Sequence, residues 1–153
     1  MRLRSPFSIN TPHQRSTLAA AFLATMGQLH AADLVVNVSG VTEPAGQIGC
    51  ALFASPAGFP TDNSAARQIW LPADPKGITC SFQGLVAGTY AVSIGHDQNG
   101  NGKVDTNLLG MPTEAWGVSN NIRPTLRAPR FDEAAFTIAD PASSATVTIR
   151  VSK

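Results

Sequence analysis

The sequence predicts an all-β fold, a two-sheet antiparallel β-sandwich of about seven strands, and three observations carry that expectation. Apolar and polar residues alternate in one short segment after another. Gly, Pro and Asn clusters interrupt these segments roughly every ten residues, as turns do between strands. No window of helical length shows the 3.6-residue apolar period of an amphipathic helix.

The chain opens on a stretch with the form of a secretory signal. Arg2, Arg4 and Arg15 make a basic start, no acidic residue precedes Asp33, and an apolar run from Leu18 to Leu29 leads to the small residues Ala31 and Ala32. The run is about twelve residues, short of the roughly twenty that span a bilayer, so no transmembrane anchor is expected. Residues 1–32 are therefore read as a signal peptide, cut after Ala31 or Ala32, and residues 33–153 as a single exported domain, periplasmic or extracellular. That domain holds all ten acidic residues against eight Lys and Arg, a formal charge of −2. Such a balance excludes a nucleic-acid partner, which needs a concentrated basic surface, and Arg123, Arg127 and Arg130 read as a solvated loop.

The strands follow in order. Leu34, Val36 and Val38 form the first apolar face, and Gly40 to Gly46 make a turn. In the segment from Ile48 to Ala54, Ile48, Cys50 and Leu52 share a face, and Ser55 to Pro60 end it. Arg67 to Leu71 is a short third strand, stopped by Pro72 and Pro75. Ile78, Cys80 and Phe82 then alternate with Thr79, Ser81 and Gln83. Cys50 and Cys80 both point inward by this parity, and an exported chain meets oxidising conditions, so they are expected to form a disulfide. Tyr90, Val92, Ile94 and His96 line the next strand. Its approach, Gly84-Leu-Val-Ala-Gly-Thr-Tyr90, resembles the turn before a late strand of transthyretin-like and other immunoglobulin-like sandwich domains. Tyr90 should act there as a tyrosine corner, its hydroxyl bonded to nearby backbone. Gly- and Pro-rich sequence from Leu108 to Arg130 reads as a long connection. The final strands are Phe131 to Ala139, with Ala134, Phe136 and Ile138 on one face, and Thr146 to Val151.

The chemistry is concentrated directly after the Tyr90 strand. Counted from Asp97, the run Asp97-Gln-Asn-Gly-Asn-Gly-Lys-Val-Asp105 places oxygen side chains at positions one, three, five and nine and a glycine at six. These are Asp97, Asn99, Asn101, Asp105 and Gly102, and a Ca²⁺ loop of the EF-hand type uses that spacing, with the backbone carbonyl of Lys103 at position seven. The mixture of carboxylate, amide and carbonyl oxygens suits Ca²⁺; Zn²⁺ would ask for His or Cys. Position twelve is Leu108 and no helix flanks the loop, so a further ligand has to come from elsewhere. Glu114 is the acidic candidate, with Asn107, Asn120 and Asn121 as amide alternatives. The competing reading is a plain Asn-Gly hairpin turn capped by Asp97 and Asp105.

Three ordered motifs, His96 to Asn107, Leu109 to Asn121 and Pro129 to Phe136, resemble a family of small exported bacterial proteins catalogued as domain of unknown function 2141. The resemblance covers essentially the whole domain after the signal. It implies a secreted β-sandwich with no established activity, and it supplies Gly110, Pro112, Glu114 and Trp116 as motif positions without catalytic roles.

Three function classes follow. The first is a non-catalytic module with a structural Ca²⁺ loop and a protein or glycan partner at the cell envelope. The second is a carbohydrate-binding module that uses Trp70 or Trp116 as stacking platforms, against the alternative that both are core residues. The third is a small hydrolase centred on His96 and Asp97. His96 is the only histidine after residue 32 and no Gly-x-Ser-x-Gly elbow is present, so a strand-end role for His96 is favoured. Asp132 and Glu133, adjacent on an expected strand, would face opposite ways and cannot act as a carboxylate pair.

Overall fold

A computed structural model describes residues 31–140 and 143–153. The expected signal peptide, residues 1–32, lies outside the described residues apart from its last two. Eight strands form two stacked sheets: β1 (Ala32–Ser39), β2 (Gln47–Phe53), β3 (Arg67–Pro72), β4 (Ile78–Leu85), β5 (Gly88–Asp97), β6 (Trp116–Val118), β7 (Phe136–Ile138) and β8 (Ala145–Arg150). One sheet has the order β4-β1-β8. The other runs β3-β2-β5-β6, with β7 also paired to β5. The all-β sandwich is as expected.

Alternation builds the core. Leu34, Val36 and Val38 of β1, with Ile78, Cys80 and Phe82 of β4 beside them in one sheet, join Ile48, Cys50 and Leu52 of β2 and Val92 and Ile94 of β5 from the other sheet in a single core, and all are buried. The polar partners Thr79, Ser81 and Gln83 are exposed, so the period-2 reading of β4 holds residue by residue. Cys50 on β2 and Cys80 on β4 are disulfide-bonded and tie one sheet to the other. Tyr90 donates its hydroxyl hydrogen to the Val86 carbonyl at 2.9 Å, the corner its sequence setting predicts.

Four features differ from expectation. Among the described residues there are eight strands instead of about seven, because Trp116–Val118 in the Gly/Pro-rich connection pairs with Ser93–Gly95 of β5. The sandwich is not purely antiparallel: β8 runs parallel to β1, with Leu34 opposite Ala145 and Val38 opposite Ile149. Side-chain alternation does not encode strand direction, so this pairing was invisible in the pattern. The segment from Phe131 to Ala139 is not one strand. It opens with a single helical turn, α1 (Phe131–Ala134), and only Phe136–Ile138 pairs. Glu133 fixes that turn by accepting the Arg130 backbone hydrogen at 2.9 Å and a two-pronged bond from Arg127 at 2.6 and 2.8 Å. Asp132 and Glu133 therefore lie on a helical turn, each paired with an arginine, and not on opposite faces of a strand.

The outer face of the larger sheet is partly covered too. A second apolar cluster of Ala91, Val118 and Ala134, with Phe59, Trp116 and Phe131 packed on it, sits at one end. There Ser119 bridges the gap between β6 and β7: its hydroxyl oxygen accepts the Val92 amide hydrogen at 3.0 Å, and its own hydrogen goes to the Ala134 carbonyl.

Candidate functional site

The candidate loop leaves β5 at Asp97, where the strand ends and the outer face begins. His96 points inward and is buried; its ring Nε2 donates to the Ala45 carbonyl at 2.8 Å, which fastens the β1–β2 turn to the end of β5. Its Nδ1 is buried with no hydrogen-bond partner. Asp97 points the other way and is 3 % exposed. The two side chains share no hydrogen bond, and the pairing that a His96–Asp97 hydrolase needs is not formed.

Asp97 organises the loop through its carboxylate. Oδ1 accepts the backbone hydrogens of Gly100 at 2.8 Å and Asn101 at 3.0 Å, and Oδ2 accepts that of Gly102 at 2.7 Å. The chain can curl so tightly around one side chain because Gly100 and Gly102 take φ of +76° and +82°, a region that costs a side-chain-bearing residue energy. Asn99 and Asn101 repeat the device on a smaller scale, each accepting the amide hydrogen two residues on at 3.1 Å. Their Nδ2 groups donate to the two oxygens of Asp105 at 2.6 and 2.8 Å.

Glu114 joins the loop from the far side of the connection and is 5 % exposed. One carboxylate oxygen accepts the Gln98 backbone hydrogen and the other that of Asp105, both at 2.8 Å. Two acids, Asp97 and Glu114, thus neutralise five backbone donors between them, and each charge is stabilised by those N–H dipoles. The Asp105 carbonyl in turn accepts from the Thr113 amide and hydroxyl, so the loop hands its geometry on to residues 105–113.

The structure thus brings together Asp97, Asn99, Asn101, Asp105 and Glu114 of the expected oxygen set. It does not bring in the other amides. Asn107 caps its own turn by accepting from Leu109 and Met111. Asn120 donates to the Glu133 and Ala135 carbonyls, and Asn121 bonds Thr148 and Arg150, so both are committed to partners outside the loop. Among the described residues no three His, Cys, Asp or Glu side chains are disposed to hold a metal together. Any cation at this loop would draw on amide and backbone oxygens beside its acids.

A groove of about 780 Å³ runs along the outer sheet face next to the loop, with Asp97, Lys103, Val104, Trp70 and Trp116 in its lining. Both tryptophans are half-buried. Trp70 lies against Gly49, where an added Cβ would come within 2.7 Å of its ring. Trp116 carries the Arg123 guanidinium 4.2 Å from its ring centre, and Arg123 also donates to the Trp116 and Ser152 carbonyls. Arg123, Arg127 and Arg130 are exposed loop residues, as the solvated-loop reading expects, and they also act as pins: Arg123 bonds the Ser152 carbonyl, and Arg127 and Arg130 hold α1. The groove escaped the sequence reading because its four strands are far apart in sequence. The available signal was a glycine inside each of two strands, Gly49 and Gly95, which marks a close approach of something to the backbone.

The sequence profile of a family described as "Uncharacterized protein conserved in bacteria (DUF2141)" matches residues 36–146. No curated protein and no solved structure matches the chain.

Proposed function

This chain belongs to the DUF2141 family of uncharacterized bacterial proteins, and we propose that it is an exported, non-catalytic β-sandwich protein whose Asp97–Asp105 loop holds Ca²⁺ as a structural ion. The loop would brace a surface offered to a partner at the cell envelope. One observation carries the reading: Asp97, Asp105 and Glu114 are gathered at one loop and none of them has an ion pair, since every ion pair among the described residues belongs to Arg127 or Arg130. Only Lys103 adds positive charge within the loop itself. Lys153 reaches the loop as well, with its Nζ 3.5 Å from Gln98 Oε1, but neither lysine forms an ion pair with these acids, whose like charges repel one another, and a divalent cation is the compact remedy.

The donor chemistry fits Ca²⁺. Asn99 Oδ1 and Asn101 Oδ1 each accept one amide hydrogen and keep a second lone pair. Asp97 uses three of its roughly four acceptor positions on backbone, leaving one on Oδ2. Asp105 meets only neutral amide N–H donors, which a cation would displace. Asp97, Asn99, Asn101, Asp105 and the Lys103 carbonyl would hold the ion, with Glu114 acting as a brace through its two backbone bonds. The ion supplies charge and nothing else; the chain's own residues carry the order onward through Asp105 and Thr113.

The disulfide is in keeping with export. Among the described residues no helix is long and apolar enough to cross a membrane. The absence of a catalytic role is supported by the burial of His96 and its bond to Ala45. Thermal unfolding in 5 mM Ca²⁺ against chelator tests the ion. With a Kd of about 0.5 mM, in the range of extracellular Ca²⁺ modules, linkage gives about 1.4 kcal/mol and a rise in Tm of roughly 5 °C. Asp105→Ala should abolish the rise. Identical curves in calcium and chelator would remove the ion from the account.

A further inference from the structure

A single cross-strand row crosses the outer face of the larger sheet. Trp70 on β3 pairs with Gly49 on β2, Gly49 with Gly95 on β5, and Gly95 with Trp116 on β6. Adjacent strands lie about 4.8 Å apart, so the two indole-bearing residues stand about 14 Å apart with no side chain on the two positions between them. The floor is lined instead by what lies down on it. The Trp70 ring rests over Gly49, and Val104 of the candidate loop reaches over Gly95, where an added Cβ would come within 2.5 Å of its Cγ2. Both glycines are thus required by close approach, and the groove of about 780 Å³ is the space these contacts leave. That volume lies in the range of sites that enclose a small ligand.

The chemistry of the lining selects the occupant. Its charged members are Asp62, Asp97, Lys103 and Arg127, two of each sign. Three of them are already engaged: Asp97 with three backbone amides, Asp62 with the Ser64 amide, and Arg127 with Glu133. The groove therefore offers a ligand little net charge, which disfavours nucleotides and other polyanions. The rest of the lining pairs the indoles with neutral hydrogen-bonding side chains such as Gln68, Ser93 and Thr106. Asn63, also in the lining, has a buried Oδ1 with no hydrogen-bond donor. Flat apolar surface beside uncharged donors and acceptors matches a neutral sugar chain, which has C–H faces to stack and hydroxyls to bond. An extended peptide would instead seek unpaired main chain at a sheet edge, whereas this row lies on the face.

We propose that the Trp70–Gly49–Gly95–Trp116 groove is a binding site for a neutral oligosaccharide. It rests on the envelope interaction role proposed above and not on the ion. Isothermal calorimetry on the full chain tests it, with cellohexaose, chitohexaose, xylohexaose and mannohexaose as probes, each in chelator and in 5 mM Ca²⁺, and decaproline as the competing ligand. Saturable binding of at least one hexasaccharide is expected, weakened tenfold or more by Trp70→Ala. Because Trp70 also packs on Gly49, the exposed Gln68→Ala provides a second variant, expected to weaken binding several-fold without loss of fold. Binding retained in chelator by a protein without a Ca²⁺ response leaves the groove standing and removes only the ion. No saturable heat with any hexasaccharide in either buffer, unchanged affinity in both variants, or binding of decaproline alone would overturn the assignment.

Discussion

The inner and outer sides of β5 are ordered by different physics. Inward, Tyr90, Val92 and Ile94 join a core whose order comes from apolar burial, a non-directional force summed over many contacts. Outward, the strand ends in Asp97, and the loop beyond is ordered by directional bonds from a few backbone amides to two carboxylates. Loss of one methylene in the core is shared among neighbours. Loss of one carboxylate in the loop strands several donors at once. The difference is one of kind: the core resists change through many shared contacts, whereas the loop rests on a few charge-dependent bonds.

The largest test of this division is on the core side. Cys50→Ala with Cys80→Ala opens a covalent link between residues 30 apart in sequence. The chain-entropy relation gives a loss of about 3–4 kcal/mol, read as a global drop in denaturant midpoint. The loop amides should melt with the rest of the chain and not before it. On the loop side, Asp97→Ala leaves the Gly100, Asn101 and Gly102 amides without their acceptor. A cost of about 1–3 kcal/mol is expected, with the Ca²⁺ response lost and the β-sheet circular dichroism unchanged. A loss of sheet signal equal to that of the cysteine variant would break the comparison.

A smaller effect concerns pH and the far side of the outer face. The Arg127 bond, and after it the Arg130 amide, hold the Glu133 carboxyl down at about 2 from an ordinary 4.5. A lowered folded-state pKa means that the ionised form favours the folded state. That contribution is fully present above about pH 4.5 and is lost as the pH falls toward 2. Glu133→Gln should therefore lower the melting temperature slightly at neutral pH and flatten its decline between pH 4.5 and 2. Because the pair is solvent-exposed, this is the smallest of the changes.

What could be read from the sequence divides along the same line. The core strands were legible because alternation is a local signal: Ile78, Cys80 and Phe82 declare their face without reference to any other segment. The disulfide followed from the same parity. Asp97, Asn99, Asn101 and Asp105 were legible because the spacing that curls the loop is also local. Glu114 was one acidic candidate beside three amides, since its return depends on how residues 105–113 turn, and spacing does not settle that. The helical turn at Phe131 was hidden because Ala134, Phe136 and Ile138 keep strand parity while Glu133 takes its geometry from Arg127, six residues earlier. The parallel β1–β8 pair and the Trp70–Gly49–Gly95–Trp116 row join residues distant in sequence, and no local pattern holds them.

Amide hydrogen exchange, followed residue by residue with and without 5 mM Ca²⁺, tests the central claim most directly. Protection at Gln98, Gly100, Asn101, Gly102 and Asp105 is expected to rise several-fold with the ion, while Val36, Cys50 and Val92 in the sheets exchange at unchanged rates. Equal protection of the loop in both conditions, or a uniform change across loop and strands, would contradict it.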